Sequence, residues 1–230
     1  MSVPAVGALP AATVVLVREI AGLEVLMVER SARGFFGGLM VFPGGGVDEC
    51  DHSDLAAEVV AGEEADQVSR AAALRELAEE TSIAITSDGL RQAPEGRGQE
   101  LFAEFEAASL TLDGSALTLI SRWVTPPGAP RRYDTRFYLA EASGDPPIRL
   151  DETELVSWIW IDPAKALNRT KAGEWSMFNP TIAHLRWLAK RSSFDDARRS
   201  ASGAAGRMLP QPEVMDDGSL VPVALPSGDE

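Results

Sequence analysis

"RELAEETSI", residues 75–83, brings Glu76, Glu79 and Glu80 within two turns of a segment that reads as a helix close to its end. At about 100° per residue, Glu79 and Glu80 lie about 60° and 40° to either side of Glu76, so the three acids share one face. Leu74 and Leu77, with Ala73 and Ala78, fall on the opposite face, which is therefore the one to bury. Like charges at this spacing cost roughly 0.2–0.5 kcal/mol per pair, and acids near a helix C-terminus also oppose its dipole. Arg75 is expected to pair well with only one of them. Two readings follow: a solvated acidic face, or a set of oxygen ligands for a hard divalent cation such as Mg²⁺, which takes a few carboxylates, waters and substrate phosphates.

Upstream, "GFFGGLMVFPGGG", residues 34–46, places six glycines and a proline around a short apolar strand at 39–42, as expected where backbone comes close to something. Before it, residues 13–17 and 24–29 read as a hairpin turning at Gly22. Residues 53–60 suggest a short helix ended by Gly62, and 64–81 a longer one rich in Ala, Leu and Glu. Strands are expected within 115–125, 134–142 and 154–161. "DPAKAL" and "NPTIAHLRWLAK" each open on a capping residue and proline, Asp162–Pro163 and Asn179–Pro180, and predict helices. "RSASGAAGR", residues 199–207, reads as a linker. Beyond it, 213–225 suits a β-hairpin turning at Asp217 and Gly218 and packed on the domain or on a second subunit. Strands before, between and after helices, without regular βαβ alternation, predict an α+β fold: a mixed sheet sandwiched between helices, not a doubly wound nucleotide fold.

The chain's 35 acidic and 21 basic residues give a net charge of −14, which disfavours nucleic acid and anionic membranes as partners. A small anionic substrate needs a metal or a local basic cluster to receive it. The single Cys50 excludes an intrachain disulfide and a cysteine-based zinc site; with neither a leader nor a membrane span in evidence, a cytoplasmic location is expected.

"FPGGG" followed by "RELAEETSI" resembles the Nudix box: Gly, five residues, Glu, seven residues, then Arg-Glu-apolar-any-Glu-Glu-any-Gly-apolar. The resemblance implies an α/β/α Nudix domain over 1–192, a Mg²⁺ or Mn²⁺ cofactor, Arg75 as a structural arginine, and Glu76, Glu79, Glu80 and the Gly45 carbonyl as metal ligands. Glu79 or Glu80 would also help deprotonate the attacking water. Three departures stand out. Arg75 follows Gly45 by 30 positions, so the motif carries about 16 extra residues, placed here at about 48–64. Counting back from Arg75, Gln67 replaces the first Glu, and Ser82 replaces the Gly at the helix exit. An insertion inside the box, with "SRWVTPPGAPRRYDTRFYLA" and "ELVSWIWIDPAKAL" downstream, resembles the branch of CoA and acyl-CoA diphosphatases. That branch implies a nucleoside diphosphate derivative as substrate and a homodimer. ADP-ribose or NADH hydrolysis, and a non-catalytic nucleotide-sensing module, are the alternatives; Gln67 and Ser82 favour the last, the intact glutamates oppose it.

Among other residues, Arg30, Arg131 and Arg132 are candidate phosphate ligands, the last two also readable as solvated strand charges. Glu152 and Glu154 are candidates for a general base or a further metal ligand. Trp158 and Trp160 share a strand face and suit either base stacking or, better, core packing; Trp123 is similar. His184 reads as structural, and His52 fits no zinc-protease pattern.

Overall fold

The computed structural model describes residues 7–32, 37–62, 66–125, 129, 131–143 and 148–202. Its central strand, β1 (Leu9–Glu19), alternates two buried faces: Ala12, Val14 and Leu16 enter one core, Val15 and Val17 another. A strand covered on both sides loses the polar alternation of a half-exposed one, which is why it reads as an almost continuous apolar run. β2 (Leu23–Arg30) pairs antiparallel with it, β3 (Met40–Val41) pairs with β2, and β4 (Gly44–Gly46) pairs with β1.

One side of this sheet is covered by α1 (Asp54–Val59), β5 (Val60–Ala61), α2 (Gln67–Thr81), β6 (Ile83–Thr86), β7 (Gly89–Gln92), α3 (Gln99–Ala107) and β8 (Leu112–Asp113). The four short strands form a second sheet, in the order β5-β8-β6-β7. The main sheet is completed by β9 (Thr118–Val124), β10 (Tyr133–Glu141) and β11 (Leu155–Ile161), in the order β11-β2-β1-β10-β9, with β1 and β10 parallel and the other pairs antiparallel. Its other face carries α4 (Pro163–Lys171), α5 (Asn179–Leu188) and α6 (Phe194–Ser202). This is the expected mixed sheet between helical layers.

Several expectations need correction. The glycine run is itself strand β4, not only a turn. The linker expected from Arg199 begins as helix: Phe194, Ala197 and Ala201 of α6 are buried against the sheet, so the packed chain runs past 192 to 202. The alanine and phenylalanine spacing that seats this helix is diluted by charged neighbours. Phe178, not Asn179, stands at the cap of α5. The small sheet and α3 were not foreseen: the sheet's strands are only two to four residues long, whereas α3 carries Leu101, Phe102 and Phe105 at helical spacing, a signal that the sequence does contain. The hairpin expected at 213–225 lies outside the described residues.

α2 ends at Ser82 in the left-handed region, φ 58° and ψ 22°, as its place in the box required. Its hydroxyl donates to the Arg149 carbonyl at 3.1 Å. Ser82→Ala, which keeps the backbone cost and loses the bond, should be about 1 kcal/mol less stable than Ser82→Gly by denaturant unfolding.

His184 is fully buried on α5, stacked on Phe137 with 4.4 Å between centroids. Since the Pro180 carbonyl can only accept, Nδ1 carries the proton (2.6 Å) and Nε2 accepts from the Ser121 hydroxyl (2.6 Å). Burial depresses its pKa from 6.5 to about 4. Between those values the unfolded chain binds the proton and the folded chain does not. The contribution is present above the unfolded pKa and is lost as pH falls toward the folded one, on the order of 3 kcal/mol in all. His184→Gln should flatten the stability profile in that window.

Candidate active site

Among the described residues Arg75 is the largest fully buried side chain. Its Nε and Nη2 donate to the two carboxylate oxygens of Asp51 (2.8 and 2.9 Å), Nη2 also to the Gly46 carbonyl (2.9 Å), and Nη1 to Glu76 (2.9 Å) and Glu79 (3.4 Å). The expectation of one good glutamate partner holds, Glu76 at 2.9 Å being the short contact and Glu79 at 3.4 Å a long one; burial turns the rest of the fork to Asp51 and the Gly46 carbonyl. Burial alone would lower the guanidinium pKa; Asp51, Glu76 and Glu79 more than offset it, and the net direction is up.

Asp51 was not foreseen. Counted forward from Gly45, the box's first acid falls at 51, and Asp51 occupies it. Gln67 instead donates to the Ala57 carbonyl (3.1 Å) at the base of α2. The insertion thus lies after Asp51 and not from 48: Asp48 and Asp51 belong to the box loop, where the Asp48 N–H donates to Asp51 Oδ2 (2.8 Å). α1 then fills the inserted stretch, with Val59 and Val60 buried in the core beneath α2 and α3.

The acidic face of α2 is not solvated. Glu80 is 1% exposed, its Oε2 accepting from the Gly44 N–H (2.9 Å) and Oε1 facing Arg30 at 3.4 Å. Glu79 Oε1 accepts from the Gly98 N–H (2.7 Å). Burial pushes Glu76 up to about 7 and Glu80, with Glu76 beside it, up to about 8. At Gly45 an added Cβ would stand 2.5 Å from the Glu76 carboxylate, so β4 comes against this carboxylate as closely as only glycine allows. Among the described residues no three acidic, His or Cys side chains converge as a ready metal cage, each glutamate being turned to its own donor. In kind the set fits a hard divalent cation: clustered carboxylate oxygens, two of them buried with less positive charge nearby than full ionisation requires.

These groups border a cavity of about 800 Å³. Glu76, Glu79, Asp48 and Arg75 line it beside Gly44–Gly46; its floor is Ala11 and Thr13 of β1 and Tyr133, Thr135 and Phe137 of β10. Val124 and residues 177–181 close the far side. From β4 across β1 and β10 to β9 is about 14 Å at ordinary strand spacing. Of the residues expected from sequence, Arg30, Arg131 and Glu154 also line it; Glu80 lies just behind. Arg132 does not line it and gives its Nε to the Thr125 carbonyl (2.9 Å). Glu152, Trp158 and Trp160 are also outside the lining: Trp158 is exposed on β11, whereas Trp160 is buried with the Arg18 guanidinium 4.6 Å over its ring. Arg97, Gly98, Met177 and Phe178 line the cavity and had no signal in the sequence.

A loop, helix and glycine strand that share a buried arginine at the edge of a mixed sheet define the class, and comparison agrees. The NUDIX domain model matches residues 8–179, and the chain belongs to the Nudix family. It is similar to nudix hydrolase 7 of Caenorhabditis elegans, 29% identical over 181 residues, covering 75% of this chain and 58% of that protein. With acyl-coenzyme A diphosphatase NUDT19 of Gallus gallus it shares 34% identity over 124 residues, 50% of this chain and 32% of that one. The chain thus spans less than two thirds of either relative. The crystal structure of a NUDIX hydrolase from Alicyclobacillus acidocaldarius superposes with a TM-score of 0.67 at 30% identity, covering 88% of this chain and 97% of that one.

Asp51→Ala would leave Arg75 buried with half its fork unpaired. The expected loss is about 3–5 kcal/mol in chemical unfolding, while Gln67→Ala at the surface should cost under about 1 kcal/mol.

Proposed function

We propose that this protein is a metal-dependent Nudix hydrolase that cleaves the phosphoanhydride of a nucleoside diphosphate derivative, with CoA or an acyl-CoA as the substrate. The observation that carries this reading is the set of α2 carboxylates held around Arg75 at one end of a cavity whose other end is apolar. Similarity to an acyl-coenzyme A diphosphatase supports the substrate class. Among the described residues no helix is long and apolar enough to cross a membrane.

Glu76, Glu79, Glu80 and the Gly45 carbonyl would hold Mg²⁺ or Mn²⁺. When bound, the cation neutralises phosphate oxygens and lowers the pKa of a water. The chain's own part is to place the diphosphate over β4 with Arg30 and Arg131, to exclude bulk water beneath α5, and to accept a proton from the attacking water at Glu79 or Glu80. Attack on phosphorus releases adenosine 3′,5′-bisphosphate and a phosphopantetheine. Tyr133, Phe137, Met177 and Phe178 supply the apolar wall for the group beyond the diphosphate.

Product mass after incubation of CoA, acyl-CoA, ADP-ribose, NADH and diadenosine polyphosphates with Mg²⁺ or Mn²⁺ tests the reading; absence of turnover on the whole panel would leave a binding module. Glu79→Gln and Glu80→Gln should each lower turnover by at least about 100-fold. Stability should move the other way for Glu80. Its folded pKa is raised to about 8, so the stability it contributes is present below its unfolded value near 4.5 and is lost as pH rises through the folded one. In EDTA at pH 8 the Gln variant should therefore melt above the parent.

A further inference from the structure

Glu154 stands between two arginines from separate parts of the chain, Arg30 at the end of β2 and Arg97 just before α3. Its Oε2 faces Arg30 Nη2 at 3.3 Å, and its Oε1 accepts from Arg97 Nη2 at 3.0 Å. All three side chains line the cavity beside Glu76 and Glu79. Each arginine has a second acid of its own behind it. Arg30 is backed by buried Glu80 (3.4 Å), and Arg97 by Asp151 and, at 3.7 Å, by Glu79. Asp151 is in turn fixed, its Oδ1 accepting from the Thr153 hydroxyl (2.6 Å) and N–H (2.9 Å).

The backing acids are anchored; the shared one is not. The Glu80 side chain is 2% and that of Asp151 12% exposed, whereas Glu154 is 40% exposed, on the turn that precedes β11. Glu154 is held in place by its main chain, through its N–H to the Asp151 carbonyl (3.1 Å) and its carbonyl to the Ser31 N–H (2.7 Å). Its side chain can thus turn outward without disturbing the fold. A carboxylate that bridges two forked donors occupies the place of two oxygens of a larger anion.

We infer that Arg30 and Arg97 form a clamp for the substrate's diphosphate, and that Glu154 is a resident anion which the diphosphate displaces. Arg97 is thereby a substrate-binding residue, and Glu154 acts on binding. The device matters in a chain of net charge −14, whose cavity already holds three acids at its edge. Two guanidiniums left open there would draw any small anion. With Glu154 between them, only a ligand able to satisfy both forks at once exchanges for it, which favours a diphosphate over a monophosphate.

Arg97 is held in position by the main chain around it. Gly98, next in sequence, adopts φ 53° with ψ −128°, a region open to glycine, and its N–H donates to Glu79. It also stands at the cap of α3, whose Leu101, Phe102 and Phe105 are fully buried in the core shared with α1 of the insertion. The second layer thus delivers one half of the clamp.

The inference rests on reading the cavity as a diphosphate site, and binding tests it apart from turnover. NMR titration with ADP in EDTA should give a dissociation constant about tenfold or more higher for Arg97→Ala than for the parent. For Glu154→Gln and Glu154→Ala it should be at least about threefold lower, since the competing charge is gone. AMP should gain more than ADP from the Glu154 changes, since the carboxylate is what keeps a single phosphate out. Unchanged or weaker ADP binding in both folded Glu154 variants, unchanged binding in Arg97→Ala, or no ADP binding by any of them overturns the clamp, whatever the substrate panel shows. Failure of the whole panel with these shifts intact would remove the hydrolase reading and leave the clamp standing.

Discussion

The contact between Arg75 and Asp51 governs the rest of the site. A guanidinium taken wholly out of water is stable only if its donors are satisfied, and here one side chain reaches both oxygens of Asp51, the Gly46 carbonyl, Glu76 and Glu79. Those partners belong to two pieces of chain that share no hydrogen-bonded ladder: the loop after β4, and α2. The fork therefore sets how α2 lies against the glycine strand. It also decides which way two of the three carboxylates point. A lysine would satisfy fewer of these acceptors and none in a two-pronged manner.

Charge is distributed so that repulsion is concentrated at one place and answered locally. Glu76 and Glu80 are raised toward neutral pH by burial, which means that this corner of the protein favours added positive charge. Arg75 answers from within and Arg30 from the cavity side. The geometry explains how an acidic protein can receive an anionic ligand: net charge acts at long range and is screened by salt, whereas the cations that matter stand within hydrogen-bonding distance of the cavity.

The inserted segment is part of this arrangement. α1 packs its apolar side into the core formed by α2, α3 and the small sheet, and α3 begins at the glycine whose N–H holds Glu79. An insertion placed after Asp51 leaves the acid–arginine pair intact because only the two ends of the motif must meet in space; the residues between them are free to build a layer.

The sequence by itself determined the elements whose signal is local. The helix-forming composition of residues 64–81 placed α2, the apolar runs placed the main strands, and proline at the first turn placed α4 and α5. The pattern around residues 75–83 put Glu76, Glu79 and Glu80 together, and the box's glycine at the helix exit singled out Ser82. Only the tertiary structure decided that Asp51, and not Gln67, holds Arg75, since a long insertion makes the forward and backward counts disagree and contact alone settles which is right. Burial of the acidic face was hidden as well: a helical wheel shows which side chains share a side, not what covers it. Arg97, Asp151 and Phe178 lie in segments with no periodicity of their own. Their positions follow from packing between elements far apart in the chain, information that no window of sequence contains.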